Sequence, residues 1–278
     1  MRILRHRDFN GIDGWELGWS PAGRPLMTVH VFVVNDVMID TGLRHMRPEV
    51  LAMAREKKVG HILLTHHHED HAGNAAAIAA QQEATVYGHP LTAEKMAVPG
   101  RIYPYQRLIW GRSDPVVVRP LADVFETNGC RLVPVHTPGH SRDHLCYHDR
   151  QNGRLFSGDL FLGERIKYFR ADERINEQIA SLKKVLRLDF EALLCAHHPV
   201  MKNGRRALAA KLDFLEDFYG RVSLLARQGL KADTIMARLG LEEQRLIKWL
   251  CFGNVSLKNM VRSVIRSLDE DQPVSPAV

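Results

Sequence analysis

Cysteine is scarce in this chain. The four, Cys130, Cys146, Cys195 and Cys251, lie far apart and form no CxxC pair. Reduced and mostly buried thiols are expected from that pattern. Long hydrophobic runs are missing too: none reaches the roughly 18 residues that a bilayer-spanning helix needs. Met1 to Asn10 is basic and broken by charges, without the apolar stretch of a secretory leader, so a cytoplasmic protein is expected, with no membrane partner. There are no internal repeats and no low-complexity tract. Aromatics make up 7% of the residues, and no stripe of alternating aromatic and basic residues marks a single-strand nucleic-acid binder. The net charge of +6 and the pI near 9.2 permit anionic substrates, nucleic acid included, without demanding them.

What is present is an ordinary globular composition, 45% apolar and 25% charged over 278 residues. That length suits one large domain, or one with a small appendage. The unusual count is histidine. There are 15, and four of them fall between His66 and His71.

Thr28–Val34 (TVHVFVV) reads as a strand from its β-branched and aromatic content. Asn35-Asp36 turns it into a hairpin partner over Val37–Asp40. A helix is expected over Pro48–Lys57, a short buried strand over His61–Thr65, an Ala-rich helix over Gly73–Gln82 and a strand over Thr85–Tyr87. Residues 90–115 are punctuated by Pro and Gly and read as a loop with short helical pieces. Its aromatics Tyr103, Tyr105 and Trp110 could equally line a substrate cleft or pack the loop down. A second β-rich region covers Arg131–Val135, His144–His148 and Arg154–Ser157, the last two joined by a Gln151-Asn152-Gly153 turn. A helix over Arg174–Arg187 and a strand over Ala192–Cys195 follow. Two β-rich halves with helices between them predict a sheet sandwich with helices outside, an α/β arrangement.

After residue 202 the pattern becomes helical. Leu208, Leu212, Leu215, Phe218, Val222 and Leu225 share one face of a helix over Arg205–Arg227. Shorter helices are expected over Lys231–Leu239 and Glu242–Leu250, another over Ser256–Leu268, and a frayed tail over Asp269–Val278. The division expected is 1–202, a catalytic domain, and 203–278, a helical C-terminal part. The Leu208–Leu225 stripe suits either a second copy, hence a homodimer, or packing on its own domain. Lys231–Leu241 weakly resembles the start of a helix-turn-helix, and a packed helical hairpin accounts for it better.

Thr65-His66-His67-His68-Glu69-Asp70-His71 reads as HxHxDH. At a strand end alternate side chains point the same way, so His66 and His68 can share one metal ion. As the chain bends into the next helix, Asp70 and His71 swing toward a neighbouring position. His67 and Glu69 then face outward or toward the ligands' supports. Imidazoles with one or two carboxylates suit zinc first, and also iron or manganese. Three further segments place a ligand type just past a strand end: His140 in Thr137-Pro138-Gly139-His140, Asp159 in Ser157-Gly158-Asp159, and His197 or His198 in Ala196-His197-His198-Pro199. Asp40 and Thr65 are expected to orient ligands from behind.

This set resembles the metallo-β-lactamase superfamily, over about residues 15–202, and within it the hydroxyacylglutathione-hydrolase-like branch. TPGHSRDH (137–144), the SGD step and AHHPV (196–200) are similar to beta-lactamase-like-2 proteins, a group that includes endoribonucleases and has bacterial relatives in quinolone signalling. The resemblance implies an αββα sandwich with a helical C-terminal extension and a centre for two divalent metal ions. It implies that His66, His68 and His140 hold the first ion, that Asp70, His71 and His197 hold the second, and that Asp159 bridges them. The last motif is usually Gly-His-Gly-Pro. Here both glycines are replaced, which leaves His198 as a competitor of His197 and changes that lip of the site.

Such a centre activates water for attack on a carbonyl or a phosphorus. Asp70 can orient the water. His144 is a candidate general acid for the leaving group, or a support for the ligands. The first expectation is a hydrolase of esters or thioesters, with a small-molecule substrate. A β-lactam is disfavoured because the SGD position carries Asp159 rather than Cys. An RNA or other phosphodiester hydrolase is the second expectation. A signalling protein that retains its metals with little turnover is the third.

Overall fold

The computed structural model describes residues 1–127 and 129–270. The first half builds a seven-stranded sheet. Strands β1 (Arg2–Asp8), β2 (Asp13–Trp19), β3 (Val29–Val34) and β4 (Val37–Ile39) are antiparallel neighbours, and β5 (His61–Leu63), β6 (Thr85–Gly88) and β7 (Val118–Pro120) continue the sheet in parallel. Parallel neighbours need crossovers. These are supplied by α1 (Arg47–Glu56) between β4 and β5, by α2 (Glu69–Ala72) and α3 (Ala75–Gln82) between β5 and β6, and by α4 (Pro90–Ala97) and α5 (Pro104–Ile109) between β6 and β7.

The second sheet has five strands in the order β13-β11-β10-β9-β8, namely Ala192–Cys195, Arg154–Gly158, Leu145–Asp149, Cys130–His136 and Phe125–Thr127. A two-stranded ladder pairs β12 (Phe169–Arg170) with β14 (Val255–Ser256), tying the C-terminal helices back to the middle of the chain. The helices of this half are α6 (Ile175–Val185), α7 (Gly204–Ala226), α8 (Ala232–Arg238), α9 (Arg245–Leu250) and α10 (Leu257–Glu270).

Strand alternation sorts the side chains into layers. On β3, Val29, Val31 and Val33 face the helices of the first half, while Phe32 faces the other sheet. On the second sheet, Leu155 and Leu193 face the helices, and Phe156 and Leu194 face inward. Phe32, Ile39 and Leu63 therefore meet Tyr147, Phe156 and Leu194 between the sheets. The layers run helix, sheet, sheet, helix, which is the αββα sandwich anticipated.

Two differences from the sequence reading have clear causes. Strands β1 and β2 were not anticipated. Arg2, Arg5 and Arg7 lie on the outermost strand, which is exposed along nearly its whole length. A charged edge protects a sheet against further pairing, but it carries no apolar alternation to read. The tail expected over Asp269–Val278 is still helical at Asp269 and Glu270, and residues 271–278 lie outside the described ones.

The stripe on α7 is spent within the chain. Leu208, Leu215 and Val222 are fully buried against Leu155, Leu193 and the α10 residues Met260, Val261 and Val264. Of the two uses expected for this stripe, a second copy or packing on its own domain, the chain shows the packing. Ile235 and Met236 bury α8 in the same cluster, as a packed hairpin would. Among the described residues, no helix is long and apolar enough to cross a membrane.

Candidate metal centre

The candidate ligands all sit just past the C-terminal ends of strands. His66, His68, Asp70 and His71 follow β5, His140 follows β9, Asp159 follows β11 and His197 follows β13. All seven are buried. Three imidazole nitrogens converge at one point: His66 Nε2 lies 2.9 Å from His68 Nδ1, and His140 Nε2 lies 3.1 Å from the same atom. Beside them, His197 Nε2 and His71 Nε2 stand 3.7 and 3.8 Å from Asp70 Oδ2. Asp159 reaches both groups. Its Oδ1 is 3.4 Å from His71 Nε2 and 3.3 Å from His197 Nε2, and its Oδ2 is 3.3 Å from His140 Nε2.

Side chains so arranged fit divalent cations. Donors about 2.0–2.1 Å from a tetrahedral ion lie roughly 3.3 Å from one another, close to the spacings above. His71 Nε2 and Asp159 Oδ1 are buried and have no hydrogen-bond partner of their own, an arrangement that costs free energy unless something else satisfies them. Three sets of ligand atoms, His66/His68/His140, His66/His71/Asp159 and Asp70/His71/His197, are compact enough to hold an ion. Burial, with neighbouring histidines and Arg170 adding to it, pushes His66 and His68 well below the usual imidazole range, which keeps their nitrogens free as donors. Burial acts the same way on His71, but Asp159, Asp40 and Asp70 outweigh it and favour positive charge there.

Four of the candidate histidine ligands are backed by another residue, as metal-binding histidines usually are. Asp40 Oδ2 lies 2.7 Å from His71 Nδ1, and Asp40 also accepts the Thr65 N–H and hydroxyl at 2.8 Å. Thr65 Oγ1 is in turn 3.0 Å from His66 Nδ1. His197 Nδ1 meets the Thr28 carbonyl at 2.6 Å. His140 Nδ1 is 3.3 Å from Glu173 Oε2. Asp40 and Thr65 thus stand where they were expected. Glu173, about thirty positions beyond His140, had no local signal. Asp143 was also missed, although it belongs to the TPGHSRDH stretch. Its buried carboxylate accepts the His67 N–H at 3.1 Å and the Thr92 hydroxyl at 2.8 Å, with Lys95 at 3.3 Å.

Two glycines set the corners. Gly158 adopts φ +46°, and a Cβ there would lie 2.7 Å from His144 Nε2 and 2.8 Å from the Thr65 Cβ. Gly139 adopts φ +128°, and its Cβ would run into the Gln178 backbone at 2.4 Å. Only glycine fits such positions without a shift, and each precedes a candidate ligand.

The two open choices in the sequence meet definite geometry. His198 is exposed and belongs to none of the compact donor sets, whereas His197 does. His144 is expected either to supply a leaving-group proton or to support the ligands. Its Nε2 accepts the Asp159 backbone N–H at 3.0 Å, its Nδ1 pairs with Thr137 Oγ1 at 2.8 Å, and burial pushes its pKa down to about 3. With both ring nitrogens engaged, these contacts fit the other expectation, that His144 supports the ligands. Cys195, two residues before His197, accepts the backbone N–H groups of His197 and His198 at 3.3 and 3.1 Å, and burial pushes its thiol up to about 12. It shapes the corner as a neutral thiol. Cys130, Cys146 and Cys195 are buried, and all four cysteines are free. Of the three loop aromatics, Tyr103 faces a cavity beside His67 and Glu69, Tyr105 is buried, and Trp110 packs against the first core.

An αββα sandwich that converges histidines and aspartates from four strand ends defines a class of metal-dependent hydrolases. The sequence profile of the metallo-beta-lactamase superfamily matches residues 25–197, and the chain belongs to that superfamily. It is 29% identical to a hydroxyacylglutathione hydrolase of Aeromonas hydrophila, over 79% of this chain and 83% of that one. It is also 29% identical to a beta-lactamase-like protein 2 homolog of Drosophila melanogaster, over 67% of this chain and 64% of that one. An atrochrysone carboxyl ACP thioesterase of Aspergillus fumigatus is 25% identical over 71% of this chain and 59% of its own. The chain thus spans less than two thirds of the last two relatives. Among solved structures, a metallo-beta-lactamase family protein of Thermus thermophilus superimposes with a TM-score of 0.64 at 20% identity, covering 96% of each chain. Another neighbour, solved in a di-iron-bound form, gives 0.54 at 27% identity over 68% of this chain and 96% of its own.

Proposed function

We propose that the chain uses a binuclear metal centre to hydrolyse an ester or thioester of small-molecule size. The observation that carries this reading is Asp159, whose two carboxylate oxygens face the two histidine groups separately, at 3.3–3.4 Å. In this reading His66, His68 and His140 hold one ion, and Asp70, His71 and His197 hold the other, with Asp159 between them. When bound, the ions supply a nucleophilic water at neutral pH and polarise the substrate oxygen; zinc fits the donors, as do iron and manganese.

The chain's own residues do the rest. Asp70 accepts a proton from the attacking water and orients it. His144 holds Asp159 in place through the Asp159 backbone N–H. Asp40, Thr65 and Glu173 fix the ring planes of the ligating histidines. Residues 1–202 carry the ligands, and within 203–270 the helices pack against the second sheet. The relatives named as a hydroxyacylglutathione hydrolase and a thioesterase support the choice of substrate class.

The test is elemental analysis of the purified protein beside turnover of a thioester and of a bis-aryl phosphodiester. About two ions per chain with thioester turnover is the expected result. Preference for the phosphodiester would move the assignment to a phosphodiesterase. A metal-loaded protein that cleaves neither would overturn the hydrolytic reading.

A further inference from the structure

A cavity of about 350 Å³ opens against the ligand-bearing loop, where the side chains of His67 and Glu69 alternate with the candidate ligands His66, His68 and Asp70. Its wall carries four cations, Lys95, Arg101, Arg112 and Arg170, against the single carboxylate of Glu69. Two of the cations are occupied: Lys95 sits 3.3 Å from Asp143, and Arg112 Nη2 donates to the Pro99 carbonyl at 2.7 Å.

Arg170 is different. Its side chain is only 19% exposed, and its one carboxylate contact is a long one from Nε to Asp172 at 3.4 Å. Among the described residues, no hydrogen bond engages its two terminal nitrogens. Glu173 lies close in sequence, but its carboxylate is committed elsewhere. It accepts the Arg170 backbone N–H at 2.8 Å and the Gln178 amide at 2.6 Å, and it faces His140. Withdrawing a guanidinium from water without a full set of acceptors is costly. The fold nonetheless fixes it firmly. Arg170 pairs with Val255 in the β12–β14 ladder, and Asn259 Nδ2 donates to the Phe169 carbonyl at 3.3 Å. The helical C-terminal part therefore aims this cation into the cavity.

We infer that the cavity is a subsite for a carboxylate carried by the substrate away from the bond that is cleaved, with Arg170 as its principal partner. A planar guanidinium matches a carboxylate through two parallel hydrogen bonds. Ile102 and Tyr103 line the cavity as well, so the segment between the scissile carbonyl and the carboxylate runs over an apolar surface. The inference rests on the hydrolase reading above and narrows its substrate to acyl compounds with a terminal acid.

The experiment compares two thioesters of equal chain length, hexanoyl- and adipoyl-N-acetylcysteamine, on the metal-loaded full chain. The quantity read is the ratio of their kcat/KM values within each protein. In the unaltered protein the adipoyl ester is expected to be favoured by about tenfold or more, mainly through KM, as a charge-assisted pair predicts. Arg170→Leu should bring the ratio near one. Arg170→Lys keeps the charge but loses the planar fork, and should lower the ratio partway; it also serves if the leucine variant does not fold. Equal kcat/KM for the two esters in the unaltered protein overturns the subsite and leaves the hydrolase standing. A ratio that persists in the Arg170 variants also overturns it. Turnover of neither ester instead sinks the hydrolase reading.

Discussion

Asp40 Oδ2 lies 2.7 Å from His71 Nδ1, across 31 positions of sequence. Asp40 adopts φ +56°, a left-handed conformation uncommon for a residue other than glycine. Its N–H donates to the Leu63 carbonyl, and its carboxylate takes the Thr65 N–H and hydroxyl. One side chain at the end of β4 thus fixes both the exit of β5 and the ring of a candidate ligand. Asp40→Ala should lower metal affinity about 10–100-fold. Competition with a chromogenic chelator reads this directly, and an unchanged affinity would remove Asp40 from the centre's support.

The position of Asp159 between the two histidine groups predicts that Asp159→Ala binds fewer metal ions per chain than the unaltered protein. Elemental analysis after dialysis is the check. Two ions retained at full occupancy would mean that the carboxylate does not join the groups.

Metal and fold should be linked. Buried donors that lack internal partners in the folded chain bind an ion that the unfolded chain does not hold in place. An ion present at a hundred times its dissociation constant adds about 2.7 kcal/mol. Thermal unfolding should therefore shift upward with added zinc and downward with a chelator. Identical melting curves in both would contradict the assignment.

Gly158→Ala should destabilise the fold by about 1–3 kcal/mol, because its Cβ meets His144 and Thr65 at less than 3 Å while φ stays positive. Urea unfolding followed by tryptophan fluorescence measures the cost. A midpoint equal to that of the unaltered protein would show that the corner relaxes freely.

A chain ending at residue 202 should fail to fold to a native state. Leu208, Leu215, Val222, Met260, Val261 and Val264 fill the same core as Leu155, Leu182 and Leu193, and removing one such leucine alone costs about 2–5 kcal/mol. Loss of near-ultraviolet circular dichroism is the expected sign. A cooperative transition in the shortened chain would make residues 1–202 an independent domain.

The elements that could be read in advance are those whose own residues declare them. Val29–Val34 is apolar and β-branched, and Ala192–Cys195 is a short apolar run. The α7 stripe repeats every three or four residues. HxHxDH is dense enough that chance does not explain it. The strands that escaped are polar or very short. Strand β1 is a polar edge paired with β2, and β12 is two residues long and exists only because residues 255 and 256 lie beside it.

The sequence by itself determined the donor types, their spacing and the strand ends on which they sit, because the local geometry of a strand entering a turn is set by a few neighbouring residues. Only the tertiary structure decided which donors share a point in space. It placed His197 but not His198 in a compact donor set, engaged both ring nitrogens of His144, and brought Glu173 to 3.3 Å from His140. It also carried Arg170 to the wall of a cavity built by residues 95–113. The physical reason is the same in each case. Distances of about 3 Å between residues tens of positions apart depend on how two sheets and their helices pack, and no short stretch of chain encodes that packing.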